Sequence, residues 1–330
     1  MPYRPQIDLD QPIRDRLVLR TVAGAVDYLA DDLRGLPAAR IERREPDRLL
    51  VEYAGPLRPL AASRYFDVVV VDLADEPERR LAESLKDGVL AALRPDPDGI
   101  RFRVGDLGAE RWALRDRLVD GYGWRNDPGS WDVNLERHGA ELGALYLTQR
   151  FGELRRTPAS TNPVVGAVLV RLAKIQPGQT VVDPFCGAGT LLVLAGEMAA
   201  PGRLVGADIQ ARWLRLAAEN GRLRGVPLGL IRADAGVLPL VAGSADRVLA
   251  NLPFGKRVGT HRVNTDLYPA ALREIARVLP GGGRAVLLTD DKRLFRETVQ
   301  RTPLLRVIKE VVLARGGLHP SVYVVSRRGR

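Results

Sequence analysis

Asp183-Pro184-Phe185-Cys186-Gly187-Ala188-Gly189-Thr190 follows the strand-like run Thr180–Asp183 and precedes the apolar, helix-spaced run Leu191–Ala199. It therefore reads as the turn between a strand and a helix. Gly187 and Gly189 permit a tight turn and a close backbone approach to a ligand, and the helix opening there offers unpaired N–H groups. Nicotinamide and flavin enzymes use a similar turn, but Leu192 stands where their third glycine would fall. Outward from this turn the pattern alternates. Upstream, Asn162 caps a helix over Val164–Ile175 that has Pro163 in its first position. Downstream come strand Arg203–Asp208, helix Ala211–Arg224, strands Leu228–Ala233 and Ala245–Asn251, helix Asp266–Leu279, strand Arg284–Thr289 and helix Lys292–Arg301. Such alternation requires a mostly parallel sheet covered by helices on both faces. Two closing strands, Leu304–Leu313 and Val322–Ser326, complete an α/β layout of seven strands.

Chemistry in such a sheet sits where strands hand over to loops. Asn251-Leu252-Pro253-Phe254-Gly255 ends one of them. The Asn251 side-chain oxygen and the Leu252 carbonyl can both accept hydrogen bonds from an exocyclic amino group. Pro253 stiffens the backbone, and the Phe254 ring can stack on a flat base. An amine held this way keeps its lone pair free to attack. The alternative is a strand end with an Asn-initiated turn. Lys256, Arg257 and Arg262 follow in a polar, Gly-containing loop that suits phosphates, the alternative being a solvated basic loop.

The chain has 330 residues, 45% of them hydrophobic, enough for two domains with separate cores. It contains no apolar run approaching the roughly 20 residues of a membrane span and no signal-peptide stretch, so a soluble, cytoplasmic protein is expected. The single cysteine, Cys186, excludes an internal disulfide, and three histidines without ligand-like spacing imply no metal site. The net charge of +10 suggests a polyanionic partner. It is unevenly placed: residues 1–157 carry 25 Lys and Arg against 28 Asp and Glu, whereas residues 158–330 carry 25 against 12.

The turn Asp183–Thr190 resembles the first motif of S-adenosylmethionine-dependent methyltransferases acting on nucleic acid. The closing pair of strands matches the class I, Rossmann-like variant of the fold. The resemblance implies a cofactor site formed by Asp183, Phe185, Cys186, Gly187, Gly189 and Thr190, by Asp208 with Ile209, by Asp234 with Ala235, and by Asn251. Asp208 would grip the ribose hydroxyls and Asp234 the adenine amino group; taken singly, either carboxylate also suits a cap or a turn. Cys186 lies inside this turn, away from any base-activating neighbour, and reads as a small packing residue. Thr161 and Asn162 border the expected pocket. The stretch Asn251–Phe254 is similar to the NPPY or DPPY site of amino-group methyltransferases. Its NLPF form is similar to the THUMP-containing tRNA guanine-N2 methyltransferases that modify position 6 of the acceptor stem. Leu252 replaces the first Pro of the motif, and Leu192–Gly196 lacks a Glu common in that family.

The first half, residues 1–150, mixes strands and helices. Strand Arg14–Arg20, helix Thr21–Leu36, strands Arg48–Tyr53 and Phe66–Leu73, and a helix from Pro77 to about Leu93 come first. Strand Ile100–Val104, helix Glu110–Gly121 and strands Trp131–Leu135 and Glu141–Thr148 follow. Residues 50–148 resemble a THUMP RNA-binding domain, against the plainer reading of a generic α+β accessory domain. Residues 151–162 read as a linker, and 163–330 as the catalytic domain. The expected function is methylation of guanosine N2 in tRNA by a monomer. Ribosomal RNA is the second candidate substrate. A DNA adenine-N6 or protein-glutamine enzyme follows, and a non-catalytic RNA-binding subunit stands as the alternative from another class.

Overall fold

The computed structural model describes residues 3–105, 110–254, 261–314, 317 and 319–329, with 261–263 described for their backbone only. Gly255, Lys256 and Arg257 lie outside the described residues, as does the Arg262 side chain. The chain divides into two compact units, up to Glu153 and from Leu154. No helix among the described residues is long and apolar enough to cross a membrane.

The first unit is built on one sheet of eight strands: β1 (Pro12–Arg20), β2 (Ala39–Glu45), β3 (Arg48–Pro56), β4 (Val68–Asp72), β5 (Arg101–Val104), β6 (Arg125–Asn126), β7 (Val133–Glu136) and β8 (Gly139–Leu142), in the order β2-β3-β1-β4-β8-β7-β5-β6. Its helices are α1 (Val26–Leu33), α2 (Leu57–Ala61), α3 (Pro77–Lys86), α4 (Glu110–Tyr122) and α5 (Leu147–Phe151). Alternating burial along β1 puts Leu17 and Leu19 into the core beside Leu49, Val51, Val69 and Val71. Residue 50 lies inside β3, and one continuous sheet runs through the unit. Strand β2 was not expected; its Arg-rich sequence pairs with β3 across a turn and hides its strand character.

Three expected elements are shorter than read, the first being the helix from Pro77 to about Leu93, which ends at Lys86 ahead of a separate 3-10 segment, Val89–Ala92. The helix expected over Thr21–Leu36 begins only at Val26, because the Thr21 N–H donates to the Asp47 carbonyl and Gly24 takes φ +89. The strand expected over Glu141–Thr148 ends at Leu142, and the chain turns through a 3-10 segment, Gly143–Leu145, into α5. The Arg150 guanidinium stabilises that turn by donating to the carbonyls of Leu145, Ala61, Ser63 and Phe66 at 2.5–2.9 Å. Burial brings its pKa down to about 9.

The second unit is the expected seven-stranded α/β sheet. Its strands are β9 (Thr180–Asp183), β10 (Arg203–Asp208), β11 (Gly229–Arg232), β12 (Arg247–Asn251), β13 (Arg284–Thr289), β14 (Leu305–Val312) and β15 (Ser321–Arg327), in the order β11-β10-β9-β12-β13-β15-β14. The first five run parallel, while β15 is antiparallel to both β13 and β14. Helices α6 (Pro163–Ala173), α7 (Thr190–Ala199), α8 (Ala211–Leu223), α9 (His261–Val278) and α10 (Lys292–Gln300) cover it. Asn162 caps α6 as expected, its side-chain oxygen accepting from the N–H groups of Val164 and Val165. The apolar strands read near-continuously because both faces are covered; Val182, Val248, Leu249, Ala250, Val286 and Leu287 are all buried. Strand order reverses between β9 and β12, the place where sheets of this kind open a crevice.

Candidate active site

The crevice is bordered by the glycine turn after β9. Asp183 ends that strand, and its Oδ1 accepts the Phe185 N–H at 3.0 Å. The Cys186 N–H donates to Ala207 at 2.9 Å and the Gly189 N–H closes the turn on Cys186 at 2.7 Å. Both glycines adopt positive φ, +50 at Gly187 and +76 at Gly189. A Cβ at Gly189 would sit 3.0 Å from the Ala217 Cβ, whereas one at Gly187 would meet nothing nearer than the Phe185 carbonyl at 4.0 Å. Gly189 lets the turn pack on α8; Gly187 leaves its outer side open to an approaching group. Thr190 begins α7 and is buried.

The turn is tied to the end of β10. The Gly187 N–H donates to Asp208 Oδ2 at 3.1 Å and the Gln210 N–H to Oδ1 at 2.8 Å, so the carboxylate is fixed while each oxygen keeps a lone pair. Ile209, beside it, is 59% exposed. Asp234 lies just past β11 in a tight turn, with Oδ1 accepting the Gly236 N–H at 2.7 Å and Ala235 buried behind it. Asp183 is 1% exposed, and burial pushes its carboxyl up to about 8. The Phe185 N–H opposes that shift and the Asp208 charge adds to it. Burial, with the same two carboxylates, also pushes the Cys186 thiol up. Its sulfur lies 2.9 Å from where a Cβ would stand on Gly206, filling the space that glycine leaves. A buried, protonated thiol in that place packs; it does not attack.

Asn251 ends β12. Its Nδ2 donates to the Ala159 carbonyl at 3.2 Å and to the Thr161 hydroxyl at 3.1 Å. Its Oδ1 is shielded from water and has no hydrogen-bond donor among the described residues. The backbone beyond it is held from beneath. The Leu252 N–H donates to the Leu288 carbonyl at 2.9 Å, and the Pro253 carbonyl accepts both Asn264 Nδ2 and the Tyr268 hydroxyl at 2.8 Å. Tyr268 also shares a 2.8 Å hydrogen bond with the Thr289 hydroxyl, and burial raises its pKa. Phe254 is half-buried.

The structure thus gathers Asp183 to Thr190, Asp208, Asp234 and Asn251 to Phe254 at the carboxyl ends of neighbouring strands. Asn264, Tyr268 and Asn220 escaped the sequence reading. The first two sit one turn apart on α9 behind the Asn251–Phe254 loop, and that spacing was the available signal. Residues 154–162 are a further correction. Rather than a free linker they belong to the second unit, because their backbone and side chains bond to Asn220 and Asn251.

Comparison with known proteins gives a match over residues 153–321 to the family model described as RMKL-like, methyltransferase domain. A tRNA (guanine(6)-N(2))-methyltransferase THUMP3 of Bos taurus is 32% identical over 265 residues, covering 70% of this chain and 52% of that protein. A U6 snRNA (guanine-N(2))-methyltransferase THUMPD2 of Bos taurus is 33% identical over 185 residues, covering 53% and 35%. The chain spans about half the length, or less, of these curated relatives. The crystal structure of TrmN from Thermus thermophilus superposes with a TM-score of 0.71 at 27% identity, covering 94% of this chain and 99% of that one.

Proposed function

Since the chain belongs to the family of RMKL-like methyltransferase domains, we propose that its second unit binds S-adenosylmethionine and methylates the exocyclic N2 amino group of a guanosine in tRNA, at an acceptor-stem site like position 6. The observation that carries this reading is the Asn251 carboxamide. Both of its hydrogens are committed to Ala159 and Thr161, and its oxygen is a shielded acceptor with no donor among the described residues. Leaving such an acceptor unfilled costs about 1–3 kcal/mol, a cost that a substrate amino group would relieve.

The residues present fit the cofactor. The open outer side of Gly187 admits a close approach, Asp208 keeps lone pairs for a vicinal diol, exposed Ile209 offers apolar cover for a flat ring, and Asp234 stands at the next strand end. When bound, S-adenosylmethionine supplies an electrophilic methyl group. The chain's own part is positioning. Asn251 Oδ1 and the Leu252 carbonyl accept the two amino hydrogens, which draws the N2 lone pair out of conjugation with the ring. Phe254 stacks on the base. The Asn264 and Tyr268 bonds to Pro253 keep that backbone from shifting under the load. No strong base is needed, because the proton acidifies once N2 becomes alkylated and leaves to solvent. Alignment of this kind accounts for most of the rate.

The names of the relatives support tRNA as substrate, and we infer a cytoplasmic location from it. The likeness to TrmN, which extends over the first unit, supports reading that unit as a THUMP-like RNA-binding domain. Lys256, Arg257 and Arg262 are proposed phosphate contacts on sequence grounds. The U6 snRNA relative favours a second reading in which the reaction is the same and the RNA differs. Labelled methyl transfer into unmodified tRNA, ribosomal RNA and small nuclear RNA, followed by nucleoside mass spectrometry, tests both. N2-methylguanosine in tRNA is the expected result. The same product only in another RNA overturns the substrate, and no N2-methylguanosine in any pool overturns the reaction.

A further inference from the structure

Residues 155–162 cross from α8 to the end of β12 as a strap, which is tied both to the glycine turn, through Asn220, and to Asn251. Asn220 of α8 is fully buried and uses both amide hydrogens and its oxygen at one end. Its Oδ1 accepts the Arg155 N–H at 2.8 Å, and its Nδ2 donates to the Arg155 carbonyl at 2.9 Å and to the Ala188 carbonyl of the glycine turn at 2.8 Å. At the other end Asn162 caps α6. Between these anchors the Ala159 carbonyl and the Thr161 hydroxyl hold Asn251 Nδ2.

A carboxamide can sit either way round, and only its partners decide which end faces the substrate. The Ala159 carbonyl accepts and cannot donate, so it admits only the NH2 end. Thr161 takes the second hydrogen, and Oδ1 is left as the shielded acceptor with no donor among the described residues. We propose that the strap is a positioning device: Thr161 and Ala159 fix Asn251 with its oxygen toward the reacting amine, and Asn220 registers that arrangement against the glycine turn. The inference rests on the reaction proposed above but concerns an orientation that can be read without catalysis. Thr161 is a positioning residue, acting through Asn251.

Two measurements test it. In protein labelled with 15N-asparagine, the Asn251 side-chain NH2 pair is identified by its loss in Asn251→Ala. The pair should show two distinct, slowly exchanging protons in the wild type. In Thr161→Val one proton should move upfield and exchange faster, and Thr161→Ser should restore both. In methyl transfer, Thr161→Val should lower kcat by roughly 10–100-fold, with KM for RNA, cofactor Kd and Tm nearly unchanged, and Thr161→Ser should recover most of the rate. An NH2 pair unmoved by Thr161→Val overturns the proposal whether or not the wild type methylates any RNA tested. So does a kcat loss accompanied by a parallel loss of cofactor affinity and Tm, which marks a structural role. An inactive wild type overturns the proposed reaction alone, and the resonance of Asn251 still decides the orientation.

Discussion

Replacing Asp183 by Asn should remove a pH dependence that the native fold carries. Asp183 is 1% exposed, and its carboxyl is pushed up to about 8, by burial first, against the Phe185 N–H and with the help of the Asp208 charge. In the unfolded chain it titrates near 4. A carboxyl whose folded pKa is raised contributes stability that is fully present below about pH 4 and is lost as pH rises toward 8, because the folded state keeps a proton that the unfolded state releases. Between pH 6 and 8 the loss from this one group is about 2 kcal/mol, given that it is half-titrated at the upper end. For a unit of this size that corresponds to a fall in Tm of roughly 4–8 °C. Asn has the same shape, can still accept the Phe185 N–H and does not titrate. Scanning calorimetry at pH 6, 7 and 8 on both proteins is the assay, with the second unit's transition identified by its rise on adding S-adenosylhomocysteine. The wild-type transition should drop several degrees more than the variant's over that range. Equal slopes, or a wild-type transition that rises with pH, would refute the assignment of a proton to Asp183.

Three other substitutions probe the same crevice. Gly189→Ala places a Cβ 3.0 Å from that of Ala217 on a backbone at φ +76, so it should cost about 1–2 kcal/mol of stability and at least tenfold in cofactor affinity, read by calorimetric titration. Asn251→Asp sets an acceptor against the Ala159 carbonyl where an NH2 now donates at 3.2 Å; kcat should fall by about 100-fold or more, and activity near wild type would mean that the amide orientation is unimportant. Tyr268→Phe removes one of two donors to the Pro253 carbonyl and should cost about 1 kcal/mol in a denaturant melt, with a severalfold loss of kcat and little change in cofactor binding.

The second unit was legible because its signals are local. A glycine turn between a strand and a helix, Pro163 after a capping Asn162, and apolar runs at strand length each follow from neighbouring residues, and together they leave one sheet topology. The first unit was harder for the same reason. Strand β2, with three arginines in seven residues, is a strand only because β3 supplies its ladder, and the turn at Gly143 depends on Arg150 reaching carbonyls as distant as Ala61. Neither cause appears in a window of ten residues.

The site divides along that line too. That Asn251 and Leu252 offer acceptors is a property of residue type and could be read directly. Which way Asn251 faces is set by Ala159 and Thr161, some ninety positions earlier, in a stretch whose Pro and polar residues made it look like a connection. The backbone that carries the Leu252 carbonyl is steadied by Asn264 and Tyr268, from a helix expected to begin only at Asp266 and found to start at His261. Ala159 itself is exposed, and its carbonyl accepts from the Asn251 side chain. The hydrogen bonds that hold the strap to Asn251 occupy both of its amide hydrogens, and they leave Oδ1 as a shielded acceptor with no donor among the described residues.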